Sequence, residues 1–376
     1  MQRIRVLVVS ARFLPELGGI ETHVHETTRR MAKYGFLDLT VLTTDRSGAL
    51  PIREYFDQFS VVRCRSYPRH RDYYFAPDLQ KLMLSGNYDL IHCQGIHTAV
   101  PILAMLAARR GRIPYVVTLH TGGHSATLRH KLRNAQWYAL GPLLRHAAIV
   151  IAVSRFEQQL FEKTCRLDAS RFRIVRNGGD LPSTAGQATE IPGRIVSSGR
   201  LERYKGHHRV IEALPIVQRS VPHATLHILG SGPYEGKLRK LTANLGLEKS
   251  VTIEHIAPGD RERMAMSLGA TAVFAAMSEY EANPVAVMEA LTLGIPTVGL
   301  DTAGIGDLVE DGFVIGVPKD ASPTTIAHAL ITALNDRRVR DPAPPPATWD
   351  SAATDLARIY KDVIGGPREL VHPYDL

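Results

Sequence analysis

The chain has 376 residues, 44% of them hydrophobic and 22% charged, with a formal net charge of +8. That length predicts two domains, each with room for a core, and the composition excludes a mini-protein scaffold, a collagen-like repeat and a disordered chain. Cys64, Cys93 and Cys165 lie far apart and form no Cys-x-x-Cys pair, so neither a disulfide framework nor a zinc ribbon is available, and a reducing, cytosolic setting fits.

The first residues, Met1 to Arg5, run straight into an apolar strand pattern with no signal-peptide region. No apolar run reaches the about 18 residues that span a bilayer, because Arg145 and His146 interrupt the longest candidate. The expectation is a cytoplasmic protein whose membrane contact, if any, is peripheral at the inner face. Short β-branched runs then alternate with helical patterns. Strands are predicted over 3–10, 38–44, 60–64, 89–93, 115–120, 148–153 and 172–176, with a helix from Ile20 to Tyr34 that Gly35 closes. Ser154-Arg155-Phe156-Glu157 has the spacing of a capping box.

From Leu181 to Gly193 the residues turn to Pro, Ser, Thr, Ala and Gly, the chemistry of a linker, so domains of 1–183 and 190–349 are predicted on either side. A second strand series follows at 194–198, 224–229, 251–255, 271–275 and 297–300. A proline-rich break at Pro342–Pro346 precedes a last helical segment in about 350–376. Strands alternating with helices imply parallel sheets. The predicted fold class is α/β, two Rossmann-like doubly wound domains facing across a cleft, with ligands at the carboxyl edges of the strands.

Charge divides between the halves. Residues 1–183 carry 26 Lys and Arg against 14 Asp and Glu, and residues 184–376 carry 19 against 23. Between Asp89 and Glu157 there is no carboxylate, while eight cations occur, Arg109, Arg110 and Arg112 among them. Solvated helix faces and an anionic partner both account for such a stretch. Nucleic acid is set aside for want of zinc-finger spacing or an aromatic RNA-binding motif; an anionic membrane surface or a phosphate-bearing acceptor competes well.

Three motifs carry chemistry and a fourth imitates one. Gly18-Gly19, after the first strand and at the start of the first helix, lets backbone approach a phosphate or sugar. Leu229-Gly230-Ser231-Gly232-Pro233 imitates a dinucleotide loop, but its third glycine comes one position late and Pro233 lacks an N–H, so no such site is predicted. Arg200 and Lys205 supply a bidentate fork and a point charge in one strand-to-helix loop, a combination suited to a diphosphate. Glu281 and Glu289 flank the start of a helix near Pro284, and carboxylates suit sugar hydroxyls. Each has a plain alternative as a turn, a surface charge or a cap.

Taken in chain order, together with Thr118-Leu119-His120, Ala152-Val153-Ser154, Asn177-Gly178 and Thr302-Ala303-Gly304-Ile305, these motifs make the chain resemble a retaining nucleotide-sugar glycosyltransferase of the GT-B fold, glycosyltransferase family four, over nearly its full length. The resemblance implies that Arg200 and Lys205 hold the donor diphosphate, that Glu289 binds the nucleotide ribose and that Glu281 reaches the transferred sugar. It puts His120 near the reaction centre, Gly18 and Gly19 over the phosphates, the base near His255 to Ala257, and Ile256, Asn283 and Val285 among the donor contacts. The last helix would cross back onto the first domain. The implied catalytic residues are therefore His120, Arg200, Lys205 and Glu281. No metal and no cofactor are expected, a UDP- or GDP-sugar being the co-substrate and a saccharide, lipid-linked or small-molecule acceptor its partner.

The chain departs from the family where Glu281-Ala282-Asn283-Pro284-Val285 replaces the common Glu-Gly-Phe-Gly-Leu, losing one backbone donor, and where Gly306-Asp307 replaces Pro-Glu. Donor identity stays open for that reason. A phosphorylase or epimerase of the same plan, and a catalytically silent binder of nucleotide sugars or anionic lipid, remain alternatives.

Overall fold

A computed structural model describes residues 3–366 apart from 17, 57, 69–75, 122–126, 185–187, 258 and 336–345, with 127–135 described as helix backbone alone. The chain divides into two compact units. The described residues of Met1–Thr121, Lys131–Arg176 and Trp349–Leu376 form the first, and those of Gly122–His130 and Asn177–Thr348 the second.

The first unit holds strands β1 (Ile4–Ser10), β2 (Leu37–Asp45), β3 (Arg53–Phe56), β4 (Phe59–Arg65), β5 (Leu90–Gln94), β6 (Tyr115–Thr118), β7 (Ile149–Ala152) and β8 (Phe172–Ile174). Its helices are α1 (Gly19–Met31), α2 (Leu79–Ser85), α3 (Ala99–Arg110), α4 (Thr127–His146) and α5 (Arg155–Cys165). The strands form one sheet in the order β3-β4-β2-β1-β5-β6-β7-β8. All pairs are parallel except β3 with β4. Every residue of β5 and β6 is buried, the pattern of strands covered on both faces. Leu7, Ile91, Val117, Trp137 and Phe161 anchor the core beneath them, each contributing about 1.5–3 kcal/mol through burial.

The second unit holds β9 (Arg194–Ser198), β10 (Thr225–Leu229), β11 (Val251–Glu254), β12 (Val273–Ala276), β13 (Thr297–Leu300) and β14 (Ile315–Val317). With them are α6 (His207–Ser220), α7 (Glu235–Asn244), α8 (Arg261–Gly269), α9 (Val285–Thr292), α10 (Ala303–Glu310) and α11 (Pro323–Asn335). The sheet is wholly parallel in the order β11-β10-β9-β12-β13-β14. Strand order reverses between β1 and β5 in the first sheet and between β9 and β12 in the second, the place where doubly wound sheets open a crevice at their carboxyl edge.

The last helix, α12 (Trp349–Gly365), belongs to the first unit. Trp349 and Tyr360 are fully buried there, the Trp349 ring lies 5.9 Å from that of His23 on α1, and Arg30 reaches Asp350 at 3.1 Å. Both units are thus α/β and Rossmann-like, and the final helix returns to the first, as the sequence predicts. Residues 342–345 of the proline-rich break, and 367–376, lie outside the described residues.

Two strands escape the pattern. The edge strand β3 alternates exposed and half-buried residues and pairs on one side only, so it lacks the apolar run of a central strand. At the opposite edge of the second sheet, β14 is three residues long with Gly316 at its centre. The predicted strand 115–120 ends early, at Thr118, because His120 takes φ +51° and turns out of the sheet.

Candidate active site

In the second unit the loop after β9 presents both predicted cations. Gly206 has φ +73°, and a Cβ there would run into the Met277 carbonyl, so only glycine lets this loop pass β12 so closely. The pass brings Lys205 onto Glu281, an ion pair with both side chains mostly covered. Burial opposes the lysine charge, yet the facing Glu281 carboxylate, with Tyr204 and Glu202 adding to it, raises Lys205 above its ordinary pKa. Arg200 stands apart, 64% exposed, 3.2 Å from Glu202. It is an uncovered guanidinium beside a covered ammonium.

The second carboxylate is held differently. Glu289 lies inside α9, 4% exposed, and accepts from Arg261 Nη2 at 2.5 Å. Arg261 opens α8. The sequence places Glu281 and Glu289 around one ligand-sized space; the structure gives each its own cation. Pro284 is the N-cap of α9, accepting from Val287 N and Met288 N at 3.1 and 3.2 Å, so Val285 and Ala286 precede the first bonded amide. Asn283 faces inward: its Oδ1 accepts from Asn177 N at 2.8 Å, its backbone carbonyl accepts from Asn177 Nδ2 at 2.6 Å, and its Nδ2 donates to Met288 Sδ at 3.8 Å. Its side chain thereby ties the Asn177-Gly178 segment to α9. Ile256 packs its side chain into the core with Leu229 and Phe274.

The glycines of the false dinucleotide loop have a structural task. A Cβ at Gly230 would strike the Gly199 carbonyl, and one at Gly232 would strike the Leu201 backbone, while Leu201 N donates to Ser231 O at 2.9 Å. They let the Arg200 loop lie against the end of β10.

In the first unit Gly18 is the N-cap of α1 and Gly19 its first residue, with open space where a Cβ of Gly19 would stand. Two residues past β6 sits His120, 8% exposed. Its Nε2 lies 2.8 Å from Gln94 Oε1 on β5, and its carbonyl accepts from His97 Nε2 at 2.6 Å. Burial, reinforced by His23, His92 and His97, holds its pKa well below the usual histidine value, so the ring is neutral. Behind it, His92 Nδ1 lies 2.6 Å from Tyr360 Oη and His92 Nε2 lies 2.7 Å from Thr118 Oγ1.

Three groups here were not predicted for these tasks. Glu157, read from sequence as half of a capping box, does receive its cap, Ser154 Oγ accepting from Glu157 N at 3.2 Å. Its carboxylate goes elsewhere, accepting from Thr121 N at 2.6 Å, Thr121 Oγ1 at 2.8 Å and Val153 N at 2.8 Å. Fully buried, it is pushed up to about 7 by desolvation. Gln94 and His207 are polar residues where apolar ones would fit the periodicity, which is the one sequence signal they give. His207 Nδ1 donates to Ser197 Oγ at 2.9 Å, and that hydroxyl donates to Ala275 O at 2.8 Å, pinning the start of α6 to β9 and β12.

Two parallel doubly wound units with a last helix returning to the first are the architecture of GT-B glycosyltransferases. Residues 17–182 match Glycosyltransferase Family 4, and residues 187–354 match Glycosyl transferases group 1. The chain belongs to this glycosyltransferase family. It is 28% identical over 304 residues to the GDP-mannose:cellobiosyl-diphosphopolyprenol alpha-mannosyltransferase of Xanthomonas campestris, covering 78% of this chain and 77% of that one. The sucrose-phosphate synthase of Thermosynechococcus elongatus shares the fold with a TM-score of 0.77 at 17% identity, over 97% of this chain and 100% of that one. Anabaena HepE, solved with UDP and glucose, shares it with a TM-score of 0.69 at 20% identity, over 96% and 97% of the two chains. No helix among the described residues is long and apolar enough to cross a membrane.

Proposed function

We propose that this enzyme transfers a hexose from a nucleoside diphosphate sugar, UDP- or GDP-linked, to an acceptor hydroxyl with retention of configuration and without a metal ion. The observation that carries the reading is the Lys205–Glu281 pair beside the exposed Arg200, at the point where strand order reverses in the second sheet. A diphosphate arriving there offers Lys205 a second anion and Arg200 its first bidentate one. The sequence has no Asp-x-Asp to hold a metal on the diphosphate, so these two cations carry that task.

In this reading residues 190–349 bind the donor and residues 1–183, with the helix of 350–376, bind the acceptor. Lys205 and Arg200 stabilise the charge that grows on the leaving phosphate as its oxygen parts from the sugar C1. The acceptor oxygen bonds to C1 on the same face and passes its proton to an oxygen of that departing phosphate, giving the glycoside and the nucleoside diphosphate. Glu281 binds hydroxyls of the transferred sugar, Glu289 those of the ribose, and backbone at Ile256 meets the base. Val285 opens the helix facing the phosphates, and Asn283 supports that helix from behind. For Gly18 and Gly19 the family resemblance supports contact with the phosphates, and for His120 the role of a neutral hydrogen-bonding ring toward the sugar.

The relative from Xanthomonas campestris is named for a diphosphopolyprenol-linked acceptor, and the basic first half of this chain suits such an anion at a membrane surface. Thermal unfolding in EDTA against uridine, guanosine, adenosine and thymidine diphosphates and their sugars tests the donor assignment. Selective stabilisation by one nucleotide, about 2.7 kcal/mol at a hundred times its dissociation constant, supports it. No response with or without added metal overturns it in favour of a silent protein. Release of a sugar phosphate or epimer with no acceptor present would mark a phosphorylase or epimerase instead.

A further inference from the structure

We propose that Gln94 is the positioning residue that sets the tautomer of His120, so that the ring offers an acceptor nitrogen, Nδ1, to the substrate. This rests on the reading that His120 meets the transferred sugar, and it adds which hydrogen-bonding face the ring presents and what fixes that face. The geometry is one contact: Gln94 Oε1 lies 2.8 Å from His120 Nε2. An amide oxygen only accepts, so the hydrogen must be on Nε2 and the lone pair on Nδ1. Because the buried ring is neutral, the choice between the two nitrogens, not a charge, decides what it can do.

The amide cannot turn over freely. Its Nε2 lies 3.2 Å from His92 Nε2, and His92 is itself held at both nitrogens, by Tyr360 Oη at 2.6 Å and Thr118 Oγ1 at 2.7 Å. Gln94 and Thr118 are register partners across β5 and β6, so the sheet fixes their separation. The backbone beneath the ring is pinned as well, since His97 donates to the His120 carbonyl and the next residue, Thr121, donates twice to Glu157. The backbone carrying His120, at φ +51°, is thus held in place, and the Gln94 contact acts on the ring it carries.

The consequence is selective. An Nδ1 lone pair accepts from a sugar hydroxyl and cannot donate to a phosphate oxygen, whereas an Nδ1–H would donate to either. Gln94 thus matches the ring to a sugar, leaving phosphate recognition to Arg200 and Lys205.

Nitrogen-15 NMR of the histidine rings in the intact protein tests this, with the His120 signal assigned by its loss in His120→Gln. The expected result is Nε2–H in the wild type. Gln94→Met, of similar volume but without an acceptor, should populate Nδ1–H and lower kcat by about 10- to 100-fold, the usual scale for a supporting residue, while KM for the nucleotide sugar stays within about twofold. Gln94→Glu keeps an acceptor and should recover the Nε2–H form and most of kcat; this arm decides the matter if Gln94→Met fails to fold. An Nδ1–H ring in the wild type, or a Gln94→Met protein with unchanged tautomer and kcat, overturns the proposal. Full activity in His120→Gln would instead overturn the placement of His120 at the sugar, with the tautomer result still standing.

Discussion

At the carboxyl edge of β5 and β6 the first unit gathers neutral rings that are buried and hydrogen-bonded to one another, whereas at the carboxyl edge of β9 and β12 the second unit gathers full charges in pairs. His92 and His120 lose their charge to burial. Lys205 and Glu289 keep theirs by pairing with Glu281 and Arg261. The physics of removing ions from water explains the contrast: an unpaired buried charge costs several kcal/mol, so it either neutralises or finds a partner. A neutral network is fixed before any ligand comes. In a charge pair each member holds the other, and in the proposed reading a diphosphate and a diol would each engage one member.

The comparison predicts that charge deletions act more strongly than deletions in the neutral network. Arg200→Ala and Lys205→Ala should each lower kcat by about two orders of magnitude or more, the scale of a lost transition-state donor; steady-state kinetics with near-normal turnover in either would break the assignment. Glu289→Gln should act mainly on binding, raising KM for the nucleotide sugar about tenfold, the scale of one charged hydrogen bond of 1.5 kcal/mol, with kcat changed less. Should kcat fall and KM hold, Glu289 would belong to the reaction and not to the ribose.

Acid sharpens the comparison from the stability side. His92 is depressed to about 3 from an ordinary 6.5, so its contribution is present above 6.5 and is lost as the pH falls through that range. His120 acts in the same direction. Glu157 has the opposite sign: raised to about 7 from 4.5, it adds stability below 4.5 that is lost as the pH rises through 7. Between about pH 6.5 and 5 these histidines, together with His207 at about 4, outweigh the one carboxyl, and wild-type stability should decline as the pH falls. Removing the opposing carboxyl in Glu157→Gln should steepen the decline by about 1.4 kcal/mol per pH unit, one proton's worth. Thermal melts across that range decide it, and an identical slope in the variant would remove Glu157 from the balance. The smallest effect expected is at the cap: Ser154→Ala should cost about 1 kcal/mol with kinetics unaltered, and a large kinetic effect would mean that the cap reaches His120 through Glu157.

The same contrast governs what could be read from the sequence. The central strands announce themselves as β-branched runs, and Arg200 with Lys205, or Glu281 with Glu289, lie close enough in sequence for spacing to speak. Pairings that depend on the fold do not. His92 meets Tyr360 across 268 residues, and nothing near either position signals the other. Glu157 looks like a cap because its local partner is real, but its carboxylate serves Thr121, 36 residues upstream. Asn283 enters as a donor contact only through the family resemblance; that its side chain pairs with Asn177, 106 residues away, has no local signal. The edge strands β3 and β14 are weak for a simpler reason, since one-sided pairing demands little of their side chains.

The return of α12 to the first unit also has a consequence for biosynthesis. Most of the first unit is made before residue 176, but His92 must wait for Tyr360, and α1 for Trp349, until synthesis has passed residue 360. The second unit, continuous from Asn177 to Thr348 but for one short segment, can close around its own core earlier. The unit synthesised first is thus the one completed last, and its histidine network stays open to water until then.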